Sequence, residues 1–341
     1  MAWTVAIGID THKDGLVAVA LDRLGAARGS ISVSADANGY LSLWQWAQEL
    51  GEPAFAIEGS GSYGAGLARF LVSAGAAVYE CERPRRVDRR RGKSDLIDAT
   101  LAAAHLLSGT PWARLRGGGV REDLRLLLLE RRGVVRARTA ALNQLQAVVV
   151  TAPEELRLRL RGLNGQQLAR AVAALRERRD ESTVVRGVLR RIARRVRSLE
   201  QELAELEREL EALVSELVPE LLDECGVGPV CAAQLVVSGG DPTRMAKEAS
   251  FAALAGTSPV EASSGLHQRH RLNRGGDRQL NRALHVIALN RVRWHPETTA
   301  YHQKLLASGK TPREARRCVK RMLARHFYRR LQENPALHLT P

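Results

Sequence analysis

The sequence predicts an α/β domain, then a long helical region, then a mainly α-helical C-terminal part. Three observations carry this. Short apolar or alternating segments, separated by turn residues, crowd residues 1 to about 110. From Arg121 to about Leu217 the pattern changes to a helical period with few breaks. Near Pro219 the composition changes again, and glycines and basic runs interrupt the helices. The expected boundaries are 1–115, 116–218 and 219–341.

Thr4–Asp10, Leu16–Leu21 and Gly29–Ser34 are spaced as an antiparallel meander. Asn38–Leu50 reads as a helix and Ala54–Glu58 as a strand. Tyr63–Ala74 is then helical, Ala77–Cys81 a strand and Asp95–Leu107 a helix. Three strands, a helix, then alternating strands and helices is the element order of an RNase H-like fold. In that order four acids fall at informative places. Asp10 ends the first apolar run and Glu58 ends another. Asp95 and Asp98 open the last helix three residues apart, so they share one face.

Four carboxylates converging on one pocket repel one another, and divalent cations relieve that repulsion. Mg²⁺ takes oxygen ligands and keeps room for water and phosphate oxygens, which suits phosphodiester chemistry; Mn²⁺ is the alternative. Taken singly, each acid has a plainer reading: a turn cap for Asp10, an arginine pair for Glu58, a helix-dipole partner for Asp95.

Lys and Arg number 52 against 37 acids, a net charge of +15. That excess favours a polyanionic partner. Its clustering points the same way. Arg83, Arg85, Arg86, Arg89, Arg90, Arg91 and Lys93 put seven cations in eleven residues between the last strand and the Asp95 helix. Lys13 follows the first strand. The segment 265–276 carries Arg269, Arg271 and Arg274, and Arg278 and Arg282 open the next helix, Asp277–Val292. All are candidate phosphate contacts. Lys310–Arg330 holds nine basic residues against one Glu, with Val319, Met322, Leu323, Phe327 and Leu331 as an apolar stripe.

Four cysteines without C-x-x-C spacing argue against a zinc site or a disulfide framework. A reducing cytoplasm fits. The N-terminus shows no basic leader, and no apolar run reaches ~18 residues, so neither export nor membrane insertion is expected.

Val185, Leu189, Ile192, Val196, Leu199, Leu203, Leu206, Leu210, Leu213 and Leu217 alternate spacings of four and three. This heptad seam predicts a coiled coil over 185–217. It either pairs with a second subunit, the preferred reading because the seam is narrow, or packs back on Leu124–Val150. Beyond it, Leu221–Ala233 reads as helix, turn, helix. Gly226 and Gly228 in the turn resemble a helix-hairpin-helix, whose free amides meet a backbone phosphate. Ser263-Ser264-Gly265 reads from its residues alone as a plain loop, although a serine beside cations can attack phosphorus if its proton is removed.

These motifs together resemble one family. Gly8-Ile9-Asp10-x-His12-Lys13, Ala56-Ile57-Glu58-Gly59-Ser60 and Lys93-Ser94-Asp95-x-x-Asp98-Ala99 are similar to the DEDD motifs of insertion sequence 110 transposases, the Piv-like recombinases of bacterial and archaeal mobile elements. Gly226-Val227-Gly228-Pro229, Phe251–Gly256, Pro259, Ser263-Ser264-Gly265 and Gly275–Leu284 resemble their second conserved region. Asn281 stands where relatives commonly have Arg, and the segment after Gly265 is poorer in Gly and Lys. The resemblance implies a RuvC-like catalytic domain and a C-terminal transposase domain. It implies Mg²⁺ on Asp10, Glu58, Asp95 and Asp98, and a serine nucleophile that falls on Ser264, with Ser263 as the alternative. It also implies DNA as substrate, a structured guide RNA as partner, a coiled-coil homodimer that becomes a tetramer on DNA, and a cytoplasmic, nucleoid-associated location. Two rival functions remain: a RuvC-like nuclease or junction resolvase that uses water, and a non-catalytic nucleic-acid-binding protein.

Overall fold

A computed structural model describes residues 3–81, 94–108, 113–114, 119–176, 183–239, 245, 247–261, 270–271, 273 and 275–337. The chain divides into two compact units, Met1–Gly118 and Gly119–Pro341.

The first unit is built on a six-stranded sheet of order β3-β2-β1-β4-β5-β6. Strands β1 (Val5–Thr11), β2 (Gly15–Asp22) and β3 (Ala27–Ser34) form the expected antiparallel meander. Helix α1 (Ala37–Glu49) leads to β4 (Pro53–Glu58), parallel to β1. Helix α2 (Ala65–Ser73) leads to β5 (Ala77–Cys81), parallel to β4. Helix α3 (Asp95–Leu107) precedes β6 (Ala113–Arg114), which pairs antiparallel with β5. The two residues of β6 are too few to show a period, so the sequence carries no sign of them.

Every residue of β1 is buried, because it is a central strand covered on both faces. Its alternation sorts the two layers. Val5, Ile7 and Ile9 join Phe55, Ile57, Leu43 and Leu67 on one face, with α1 and α2. Ala6 joins Ala54, Ala56, Ala99, Ala102 and Ala103 on the other, with α3. Small residues on that second face let α3 lie close to the sheet.

The second unit is mostly helical. Helices α4 (Val120–Val150), α5 (Glu154–Leu160), α6 (Gly165–Ala173) and α7 (Thr183–Leu217) are followed by a 3-10 turn at Pro219–Leu221. Then come α8 (Pro229–Gly239), α9 (Glu248–Leu254), the short strands β7 (Val260–Glu261) and β8 (His270–Arg271), α10 (Arg278–Trp294), α11 (Pro296–Ala307) and α12 (Pro312–Glu333). Strands β7 and β8 pair antiparallel. One core gathers α5, α6 and the adjoining ends of α4 and α7 around Leu145, Leu168, Val172 and Val196. Another gathers the far ends of α4 and α7 with α8, α9, α10 and α12 around Leu124, Leu210, Phe251, Leu284 and Phe327.

The heptad seam on α7 packs on α4 of the same chain, the second arrangement that the sequence allows. Arg131 pairs with Glu207 and Arg138 with Glu200, both at 2.6 Å. One number rises by seven as the other falls by seven, so the helices run antiparallel. Leu189, Ile192, Val196, Leu206 and Leu210 are buried, whereas Leu199 and Leu203 between them are half-buried.

The helix expected over Leu221–Cys225 is absent. Pro219 has no amide hydrogen to donate and restricts Val218, so α7 stops and a 3-10 turn follows. Among the described residues, no helix is long and apolar enough to cross a membrane.

Candidate metal centre

The site forms where the sheet's geometry and its small residues coincide. In the parallel β1–β4 pair Ile9 lies opposite Ile57, so Asp10 and Glu58 follow at the same edge. Period-two alternation puts both on the face of Ala6, Ala54 and Ala56, the face that α3 covers. Gly8 fixes how closely α3 lies. A Cβ there would stand 2.0 Å from the carbonyl oxygen of Ala99 and 2.3 Å from the amide nitrogen of Ala103. Only a glycine lets the helix backbone rest on the strand.

The first turn of α3 therefore reaches the end of β1. Ser94 caps it, its side chain accepting from the amide of Ile97. Asp95 and Asp98 lie in that turn, where the helix dipole favours negative charge. Asp98 is buried and Asp95 is exposed. Asp10 is buried, and Glu58 is half-buried. Burial pushes the Asp10 carboxyl above its ordinary range; His12 opposes that shift, and Glu58, Asp95 and Asp98 add to it. A carboxyl raised by burial and by three acidic neighbours is one that a cation stabilises.

His12 is the residue that sequence reasoning missed. Its Nε2 lies 3.3 Å from Asp10 Oδ2 and 3.2 Å from Asp95 Oδ1. Asp10, His12 and Asp95 offer ligand atoms that all lie within 4.8 Å of one another. The signal was present: two residues past Asp10, at the end of a strand, a side chain returns to the same face. Carboxylate oxygens with one imidazole at their edge suit a divalent cation.

The other candidates fall less closely together. Lys13 is exposed in the turn between β1 and β2. Arg83, Arg85, Arg86, Arg89, Arg90, Arg91 and Lys93 lie outside the described residues, as do Ser263, Ser264, Arg269 and Arg274. Arg271, Arg278 and Arg282 are exposed in the second unit. Gly226 has φ +80°, and a Cβ on it would meet Asn290 at 2.9 Å, so α10 presses on this turn. The turn is pinned: Arg291 donates to the carbonyl of Cys225 and pairs with Glu224. Gly228 has open space about it, and its carbonyl starts α8 by accepting from Cys231 and Ala232.

Comparison with known proteins joins both units. A family model described as a transposase, of the DEDD type found in IS110 elements, matches residues 7–152 and so contains all four acids. A second, described as "Transposase IS116/IS110/IS902 family", matches residues 220–303. The chain belongs to the IS110 family of transposases. The DEDD-type match fits the RNase H-like order of the first unit and suggests use of a divalent metal. A relative in Streptomyces coelicolor, described as "Insertion element IS110 uncharacterized 43.6 kDa protein", is 39% identical over 92 residues. That match covers 26% of this chain and spans 22% of the relative's length.

Proposed function

We propose that this IS110-family chain cuts and rejoins DNA as the recombinase of an insertion sequence. The convergence of Asp10, Glu58, Asp95 and Asp98 at one end of the sheet carries this reading. A bound Mg²⁺, or Mn²⁺, would neutralise charge that builds on a phosphodiester there. The four acids hold the cation, and His12 bridges Asp10 and Asp95 at the rim of the cluster.

Ser264 acts as nucleophile in this proposal, with Ser263 as the alternative. Its Oγ gives up a proton and bonds to phosphorus, the bond from phosphorus to a deoxyribose oxygen breaks, and that oxygen takes a proton. The second transfer reverses these steps with a different strand. The basic segments 83–93 and 269–282 hold nucleic-acid backbone. A structured guide RNA selects the sequence by base pairing, and two dimers assemble on DNA. The functional division of the chain follows 1–115, 116–218 and 219–341.

A denaturing gel tests the proposal. Labelled junction and target DNA, with Mg²⁺ and RNA transcribed from the flanking sequence, should give a covalent protein–DNA adduct. The adduct should vanish in both Ser264→Ala and Asp10→Ala. Free cleaved DNA that survives Ser264→Ala but not Asp10→Ala would instead identify a nuclease using water. DNA binding without cleavage by any form would favour a non-catalytic binding protein.

A further inference from the structure

The second unit holds a cavity of about 650 Å³ between the corner that follows α9, strand β8 and helix α12. Its charged lining is mainly cationic: Lys320, Arg317, Arg271 and Lys310, with Glu314 as an acid among them. Glu314 is already engaged in the capping box that starts α12 with Thr311. Arg321 and Arg325, also at the wall, pair with Glu248.

Lys320 sets this cavity apart from a solvated basic surface. It is 7% exposed, on the same helix as the buried Val319, Leu323 and Phe327. Its Nζ donates to Asn281 Oδ1 at 2.8 Å, a neutral acceptor. Asn281 is itself held, its Nδ2 donating to the carbonyl of Ala255 at 2.6 Å. Gly256, at φ +62°, keeps that corner close: a Cβ on it would stand 3.1 Å from Asn281 Nδ2. An ammonium has three protons to donate, and a buried one without an anionic partner is costly. Among the described residues no carboxylate pairs with it. Burial and the nearby Arg317 both push its pKa down. Such a group, lining a cavity with further cations around it, is built for an anion that arrives from outside.

We propose that this cavity takes a backbone phosphodiester of the nucleic-acid substrate, with Lys320 Nζ as its central donor and Asn281 as the residue that positions it. The volume exceeds what a phosphate needs and admits an adjoining sugar. The site therefore suits an internal phosphodiester better than a free phosphate. Thr257, Ser258 and Pro259 line it and lead directly into β7. Asn281 thus gains a role in aiming a lysine. The proposal rests on the reading of nucleic acid as substrate.

The test uses the full chain and three variants: Lys320→Met, which keeps the side-chain length and removes the charge, Asn281→Asp, which supplies Lys320 with a permanent partner, and Ser264→Ala. Thermal unfolding is followed with inorganic phosphate against chloride at equal ionic strength. Binding of a short single-stranded oligonucleotide is measured over a range of salt. Wild type should be stabilised by phosphate, and Lys320→Met should lose that shift while unfolding no earlier than wild type without ligand. Oligonucleotide affinity should fall about tenfold in Lys320→Met, and its logarithmic salt dependence should flatten by about one phosphate contact. Asn281→Asp should lose the phosphate shift as well, which keeps the test decisive should Lys320→Met fail to fold. An undiminished phosphate shift and oligonucleotide affinity in both Lys320 and Asn281 variants would overturn the proposal. So would loss of the phosphate shift with oligonucleotide affinity unchanged, since the cavity would then serve another anion. Ser264→Ala should bind as wild type does, so loss of strand transfer there, or its absence throughout, bears on the recombinase reading and not on this cavity.

Discussion

Gly8→Ala is the most demanding test of how the acidic site is assembled. The new Cβ would stand 2.0 Å from Ala99 O, whereas real Cβ atoms stay beyond 3.0 Å, so α3 must withdraw by about 1 Å. The obstruction is helix backbone, which no rotamer change relieves. Overpacking of this kind costs about 1–3 kcal/mol. The same withdrawal carries Asp95 and Asp98 away from Asp10, and a misplacement of about 1 Å lowers a rate on the order of 100-fold. Stability is read by urea unfolding and activity by Mg²⁺-dependent cleavage of labelled DNA. Gly133→Ala is the control: it lies within α4 with open space at its Cβ position, so it should gain up to about 1 kcal/mol and keep full activity. Wild-type stability and cleavage in Gly8→Ala would refute the claim that α3 rests on β1 through this glycine.

Other perturbations follow from named contacts. Glu224 is half-buried, which pushes its carboxyl up, yet hydrogen bonds from His326 and Arg291 outweigh this and hold it below its ordinary value of 4.5. A lowered carboxyl stabilises the fold above its unfolded value and loses that contribution as pH falls below about 4.5 toward its folded value. Unfolding followed from pH 6 to pH 3 should thus show a shallower pH slope in Glu224→Gln than in wild type. Glu224→Ala leaves Arg291, which is 5% exposed, without its carboxylate, and should cost about 3–5 kcal/mol by denaturant unfolding. Reversing Arg138→Glu together with Glu200→Arg should recover roughly 0.5–1 kcal/mol of the loss seen in either single variant, independent of protein concentration, because the pair lies within one chain. His12→Ala should weaken Mn²⁺ binding measured by calorimetry without unfolding the protein, since His12 is exposed.

Apart from the two-residue β6, the strands and helices of the first unit were legible because each is long enough to show its period. Val5–Ile9 reads as a continuous apolar run, and Asp95–Leu107 is found with the boundaries the sequence suggests. The acids were legible as strand-end and helix-start residues. What brings them together was not: the layer each faces depends on sheet pairing, and the approach of α3 depends on Gly8 and on alanines that read locally as ordinary small residues. His12 escaped for the same reason, since its partners are Asp10 and a helix more than eighty residues away. The α7 seam was visible in sequence, but heptads alone do not choose between α4 and a second chain; Arg131 and Arg138 on α4 settle that α7 has a partner within its own chain. Lys320 sits in Lys310–Arg330, which reads as a basic amphipathic helix. Its hydrogen bond to Asn281 on α10 is one that no spacing within α12 reveals.

The proposed cation site is formed by Asp10, Glu58, Asp95 and Asp98 together. The most direct measurement is Mn²⁺ binding by electron paramagnetic resonance, on the wild type and on Asp10→Asn. A cation site at these four acids requires saturable binding to the wild type, competed by Mg²⁺ and lost in Asp10→Asn while the fold persists. Equal Mn²⁺ binding by both proteins would contradict it, and would place the cation away from the end of β1.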